Sequence, residues 1–335
     1  MKKRILQISL ILVLMIPVGL LGLMNSATGS RWLLQTVFSS LPMQISAKAI
    51  EGRLLDRITL SELIYKSDTE TVNVKNLVFA WQPSRLFSGT LRIIDITING
   101  VNVSVTGTAP PEKSSFDPNA ELWLPVQIAI ENLLLTDLTF QQGKQLQQLE
   151  KLHLSAFTEH GRLNLVSLDI NAKPGTATAK GYMGLGKGFP FSLTADWQVA
   201  TADYGSWQAT TAVNGDFHQL VFDNQLSSPF KSALKGGLDN LQDAPRITAR
   251  GDWQQLNWPL SGGKPQMTSE QGTLELSGLL SDYRILLEAQ LARPTSPKAH
   301  LAFKGKGGTD ALFIEKLELT STAGAFQIGG DVSWK

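Results

Sequence analysis

Cysteine is missing from the chain altogether. Its absence removes disulfide frameworks, thiol nucleophiles and thiolate metal sites, and is compatible with an oxidising compartment. Histidine is scarce: His153, His160, His218 and His300 are the full set, and none has a second histidine or a carboxylate cluster at ligand spacing, so no metal site is expected. A G-x-S-x-G elbow is lacking too. The glycine-rich stretch GYMGLGKGF, residues 181–189, lacks the order of a phosphate-binding loop and has no helix behind it, so it reads as a turn between strands. Glu315 and Glu318, or Asp68 and Glu70, have the spacing of carboxylates on any solvated strand. There is no basic field either. The formal charge is +1, and Lys2, Lys3 and Arg4 take three of the 30 basic residues, leaving 27 against 29 acidic ones. Nucleic acid is therefore not an expected partner. The chain reads as a non-enzyme with no cofactor and no metal.

What is present begins at the N-terminus. KKR precedes ILQISLILVLMIPVGLLGLM, an apolar run from Ile5 to Met24 that includes Leu10, Leu14 and Leu20. Twenty helical residues span about 30 Å, the thickness of a hydrocarbon core. The basic cluster ahead of the run predicts a single-pass anchor with its N-terminus in the cytoplasm and the bulk of the chain across the membrane. A cleaved signal peptide is the rival reading, with Ala27 and Gly29 as a small-x-small pair, and the apolar run is longer than a usual signal. RWLLQTVFSSL, residues 31–41, then places Trp32, Leu33, Val37 and Phe38 near one side of a short amphipathic helix, suited to a membrane surface or to capping a sheet.

From about Gln44 onward the pattern has period two, with turn residues roughly every ten positions, which predicts a mainly β protein. Helical periodicity is nearly gone, apart from a single turn at Pro83–Phe87. TAPPEKSSFDPN is the best loop or linker, which divides the chain into 1–30 (cytoplasmic tip and anchor), 31–107 (short helix and first β segment), 108–119 (Pro-rich loop) and 120–335 (continuing β segment).

IIDITINGVNVSV carries the clearest alternation. A type I′ turn at Asn99-Gly100 would put Ile94, Ile96, Ile98, Val101, Val103 and Val105 on one apolar face, with Asp95, Thr97, Asn102 and Ser104 on the other. A bulge within one long strand gives similar facing. Val126, Ile128 and Ile130, Leu163 and Leu165, and Ile285, Leu287 and Leu291 alternate in the same way. An apolar sheet face must be covered, and helices to cover it are lacking. Two readings stand on physics alone: a sandwich whose inner faces bury each other, or a curved sheet whose concave face accepts an apolar ligand.

The order of apolar run, Trp-bearing helix, EGRLLDRITLSELIY and VKNLVFAWQPSRLFSGTLRIIDITINGVNVSV resembles the N-terminal part of the TamB family in the AsmA-like group. ARGDWQQLNWPL, GTLELSGLLSDYRILLEAQL, AHLAFKGKGG and FQIGGDVSWK extend the resemblance, including a W-x-x-L-x-W-P-L signature. TamB chains are several times longer and end in a C-terminal domain missing here, so the resemblance reads this chain as an N-terminal fragment. It implies an elongated, curved antiparallel sheet forming an apolar groove, anchored in the inner membrane with its bulk in the periplasm. It also implies phospholipid acyl chains as the cargo moved between inner and outer membranes, with the apolar positions named above lining the groove. The alternative it implies is a structural factor that acts with a TamA-like outer-membrane partner in outer-membrane protein assembly.

Overall fold

The computed structural model describes residues 19–41, 43–67, 69–105, 121–143, 145–294 and 296–334. The chain forms two compact units, Met1–Ser115 with Trp123–His160 and Asn164–Lys173, and Phe116–Leu122 with Gly161–Leu163 and Pro174–Lys335. The Pro-rich loop 108–119 lies outside the described residues.

In the first unit, helix α1 (Ala27–Ser40) starts at Ser26, whose hydroxyl accepts the Gly29 N–H in an N-cap. Strands β1 (Gln44–Gly52), β2 (Arg57–Lys66), β3 (Glu70–Gln82) and β4 (Thr90–Val105) pair in sequence order as an antiparallel meander. β4 then pairs with β5 (Gln127–Gln142) in parallel, which departs from the all-antiparallel expectation. Parallel neighbours need a crossover of a dozen or more residues, and the stretch 106–126, which holds the Pro-rich loop, supplies that length. β5 pairs with antiparallel β6 (Gln145–Glu159). β7 (Arg162–Ala172) follows, with His153 Nδ1 of β6 3.0 Å from Asp169 Oδ2 of β7. The 3₁₀ turn Pro83–Ser88 occupies the turn predicted at Pro83 and ends at Gly89, which has a left-handed conformation.

No hairpin forms at Asn99-Gly100, because β4 runs straight through it. Gly100 has φ 66°, Glu62 in β2 φ 50° and Asp137 in β5 φ 56°, and the three stand at one register level. On either side of that level lie two apolar rows. The first is Ile50, Leu60, Leu77, Ile98, Leu135 and Leu152; the second is Ala47, Leu63, Val74, Val101, Leu138 and Leu149. In every strand the two rows are three residues apart. Simple alternation would send them to opposite faces, yet Leu60, Leu77, Ala47 and Leu63 pack in one cluster. A line of bulge-like residues therefore crosses the sheet and returns each strand to the same apolar face. Lys48, Glu62, Lys75, Asp137 and Glu150 on that line are all exposed.

In the second unit β8 (Gly175–Gly184), β9 (Phe191–Thr201), β10 (Gly205–Gly215), β11 (Gln219–Ser228) and β12 (Lys231–Asp239) pair in sequence order. So do β13 (Arg246–Trp258), β14 (Met267–Leu279), β15 (Asp282–Arg293), β16 (Ser296–Gly307), β17 (Ala311–Ser321) and β18 (Gly324–Ser333). Every one of these pairings is antiparallel, each strand beside the next. Short polar turns make such a meander the cheapest order for the chain, because consecutive strands close small loops.

Neither unit is a sandwich. Among the described residues the only side chain buried below 2% exposure is Ser30, and the buried apolar residues include five alanines but no isoleucine or leucine outside the first unit except Leu185. A sandwich would enclose the large side chains of both inner faces.

Candidate functional site

The candidate site is the apolar face of each sheet. In the second unit one register row crosses all eleven strands: Gly181, Leu193, Val213, Phe222, Gly236, Ala249, Leu276, Ile285, Gly305, Ile314 and Gly330. A parallel row runs Trp197, Ala209, Leu226, Ser232, Trp253, Gly272, Ala289, Leu301, Leu319 and Phe326. No charged residue occupies either row. The charges stand on the opposite face, where Lys235 meets Asp223 at 3.0 Å and Arg250 meets Glu275 at 3.5 Å. The Lys235 ammonium, followed by the Gln225 amide, holds the Asp223 carboxyl below the usual carboxylate range. Open depressions of about 450 and 320 Å³ on that side are lined by Lys235, Thr248, Arg250 and Arg284, and by Asp252, Gln271, Glu288 and His300.

Aromatic rings on the apolar face lie across glycines. A Cβ added to Gly272 would fall inside the indole of Trp253, its register partner. One on Gly307 would lie 2.5 Å from the ring of Tyr283, and one on Gly236 2.7 Å from that of Phe222, again register partners. Laying a ring over a glycine buries the bare backbone and keeps the face low. The Trp253 N–H donates to Ser269 Oγ at 2.9 Å and the Trp197 N–H to Thr211 Oγ1 at 2.9 Å, so the indoles leave no unpaired donor.

In the first unit the face is built from branched aliphatics. Ile96 lies between Phe79 and Leu133, Ile98 between Leu77 and Leu135, Val101 between Val74 and Leu138, and Val103 between Val72 and Phe140. Val105 stands between Glu70 and Gln142 at the strand end. Ile128 pairs with Leu91 and Ile130 with Ile93. Ile94 falls where the β3–β4 register shifts and is 40% exposed, so it stands apart from Ile96. Val126 precedes β5 and is in no strand. Leu163 and Leu165 are half-buried in β7. Ile285 and Leu287 lie beside Leu276 and Leu274, and Leu291 beside Ser269, in the second unit. The predicted residues thus divide between two units.

Helix α1 covers one end of the first face. Leu34 and Phe38 pack on Ile50, Ile58 and Leu60, whereas Trp32 and Val37, expected on the apolar side, are exposed. The contact surface is turned by one residue because Ser30 is drawn inward: its hydroxyl donates to the Met24 carbonyl and accepts the Leu54 N–H, both at 2.9 Å. Of the predicted anchor, Ile5, Leu10 and Leu14 lie outside the described residues, Leu20 is exposed and Met24 half-buried. No helix among the described residues is long and apolar enough to cross a membrane.

Alternation in single strands could not reveal the aromatic–glycine pairs, which are cross-strand. The three-residue phase slips were readable in β2 to β6 once compared with one another. A family model described as TamB, N-terminal domain, matches residues 16–122 and 113–335. No solved structure matches the chain.

Proposed function

Because the chain belongs to the TamB family, whose N-terminal domain spans nearly all of it, we propose that it holds phospholipid acyl chains on its uncovered apolar faces and conducts them between the inner and outer membranes. In this reading Ile5 to Met24 anchors it in the inner membrane and the rest stands in the periplasm. The observation that carries the reading is the uncovered face: a row of apolar residues and glycines crosses eleven strands, and large apolar side chains on it remain half-exposed. Covering such surface is worth about 25 cal/mol per Å², so an acyl chain laid along it is held at many weak contacts. Adjacent rows are chemically alike, so a chain can move from one to the next without crossing a charged position. Headgroups remain in water. Nothing in this process makes or breaks a covalent bond, and no catalytic residue is required.

The test is a detergent-free preparation of the full chain in which copurifying lipid is extracted and identified. Photoreactive side chains at Ile98 and Leu274 should crosslink to lipid, and at Glu275 should not. Ile96→Asp should abolish lipid transfer while leaving the far-UV spectrum unchanged. If Ile96→Asp leaves lipid transfer, partner binding and outer-membrane protein assembly all intact, the reading as an assembly factor with a TamA-like partner replaces this one.

A further inference from the structure

One end of the first unit gathers exposed apolar side chains that the fold does not use. Phe87, in the 3₁₀ turn Pro83–Ser88, is 96% exposed, and Trp123 is 80% exposed. The Gln127 N–H donates to the Gly89 carbonyl at 2.8 Å, so β4 and β5 start side by side at the end that carries Phe87, and Trp123 lies four residues before β5. The turn between β1 and β2 joins them, since the Trp81 indole N–H donates to the Leu54 carbonyl at 2.6 Å and its backbone N–H to the Asp56 carbonyl at 3.2 Å. That turn in turn receives the N-terminal segment: the Leu55 N–H donates to the Met24 carbonyl at 3.3 Å.

Met24 is the last residue of the twenty-residue apolar run, so the chain leaves that run at this end of the sheet. Leu20, Leu21 and Leu23 just before it are exposed. The carboxylates nearby are engaged, Asp56 by Arg53, Asp95 by Arg57 and Glu131 by Arg92. Arg85, beside Phe87, is exposed and has no ion-pair partner among the described residues. Aromatic rings flanked by a free cation suit the boundary between headgroups and acyl chains, where rings bury their apolar edges and the cation meets phosphate.

We propose that this end of the first unit, with Phe87 and Trp123 as the inserting side chains and Arg85 as the phosphate contact, docks on the anionic bilayer surface from which residues 5–24 emerge. The proposal rests on the membrane-anchored reading above and adds to it a second contact, independent of the anchor, that holds this end of the first unit against the lipid.

The cysteine-free chain permits a single label at any position. Full-length Phe87→Cys, Trp123→Cys, Leu14→Cys and Gln142→Cys variants, each carrying an environment-sensitive fluorophore, are reconstituted into vesicles of phosphatidylethanolamine and phosphatidylglycerol. Labels at 87 and 123 should shift to the blue, resist iodide and lose about half their emission to lipids brominated near the headgroup, as expected for rings at the interface. The label at 142, at the far end of β5, should behave as in water. The label at 14 reports the anchor alone, through lipids brominated deep in the acyl chain. Quenching at 14 with an aqueous signal at 87 and 123 overturns the docking while the anchor stands; an aqueous signal at 14 removes the anchor, and docking then survives only if 87 and 123 remain quenched. Iodide protection at 87 without lipid quenching means that protein covers the turn, which also overturns the proposal.

Discussion

The two units reach an uncovered apolar face by different means. The first uses branched aliphatics in register, keeps them on one side by a line of bulge-like residues of which Glu62, Gly100 and Asp137 are left-handed, and closes one end with α1 on Ile50, Ile58 and Leu60. The second has no such helix among its described residues and lays Trp253, Tyr283 and Phe222 over glycines instead. Among the described residues the first unit therefore holds a helix-covered core, while the second draws its stability mainly from the ladder and from small contacts repeated along it. Cooperative burial in one unit and distributed, nearest-neighbour contact in the other should respond differently to the same substitution.

The largest separation is expected from truncation. Leu60→Ala, at a position 7% exposed under α1, should cost about 3 kcal/mol in urea unfolding, the usual range for a buried leucine. Leu274→Ala, half-buried on the uncovered face, should cost about 1 kcal/mol, because much of the removed surface already meets water. Equal costs would mean that the second face is covered after all.

Next in size is the steric test of the ring–glycine device. Gly272→Val should destabilise the second unit by about 2 kcal/mol by displacing the Trp253 indole. Trp253→Ala in the same chain should recover part of the loss, since the space is then free, and a purely additive cycle rejects the pairing. A smaller effect, opposite in sign at neighbouring positions, is expected on the bulge line. Gly100→Ala should cost about 1 kcal/mol, having φ 66° and a Cβ placed 2.9 Å from that of Lys75. Asp137→Gly should be neutral or stabilising by up to about 1 kcal/mol, since it relieves the same backbone conformation at the cost of glycine's freedom in the unfolded chain. Both are read as shifts in denaturation midpoint.

The smallest effect is electrostatic and belongs to the turn between β10 and β11. Backbone N–H groups of Gln219 and then His218 hold the Asp216 carboxyl below the usual carboxylate range. A depressed folded pKa gives a contribution that is present above the ordinary carboxylate value of about 4 and lost as the pH falls through the folded value. Asp216→Asn should therefore lower stability at neutral pH and converge with the parent in acid. The difference should stay below about 1 kcal/mol, because the carboxylate is about a third exposed and water competes for it.

Much of this architecture was written in the alternation of single strands. Alternation puts Ile96, Ile98, Val101 and Val103 on one face whether their strand turns or runs on, because a turn and a bulge give the same facing there. Ile94 is a different case: the register shift that separates it from Ile96 arises in the pairing with β3, which one strand does not reveal. Trp32 and Val37 stay exposed on α1 while Leu34 and Phe38 meet the sheet, because the buried Ser30 hydroxyl sets the rotation of the helix, a polar tether that hydrophobic periodicity ignores. In the sequence Trp253 is legible only as part of a signature, and its use depends on a glycine nineteen positions later in a facing strand, about which local pattern is silent.

The sequence by itself determined that the chain is mainly β, that its strands have one apolar and one polar side, and that helices to cover the apolar side are scarce. These follow from side-chain periodicity, which is local. Whether the apolar sides would face each other or remain open was decided only by the tertiary structure. That choice depends on which strands are neighbours and on what packs above them, and both are set by contacts between residues far apart in the chain. The same cross-strand contacts made a parallel pair of β4 and β5, folded the rings of Trp253, Tyr283 and Phe222 onto glycines, and brought Phe87 and Trp123 to the end where the apolar N-terminal run leaves the sheet.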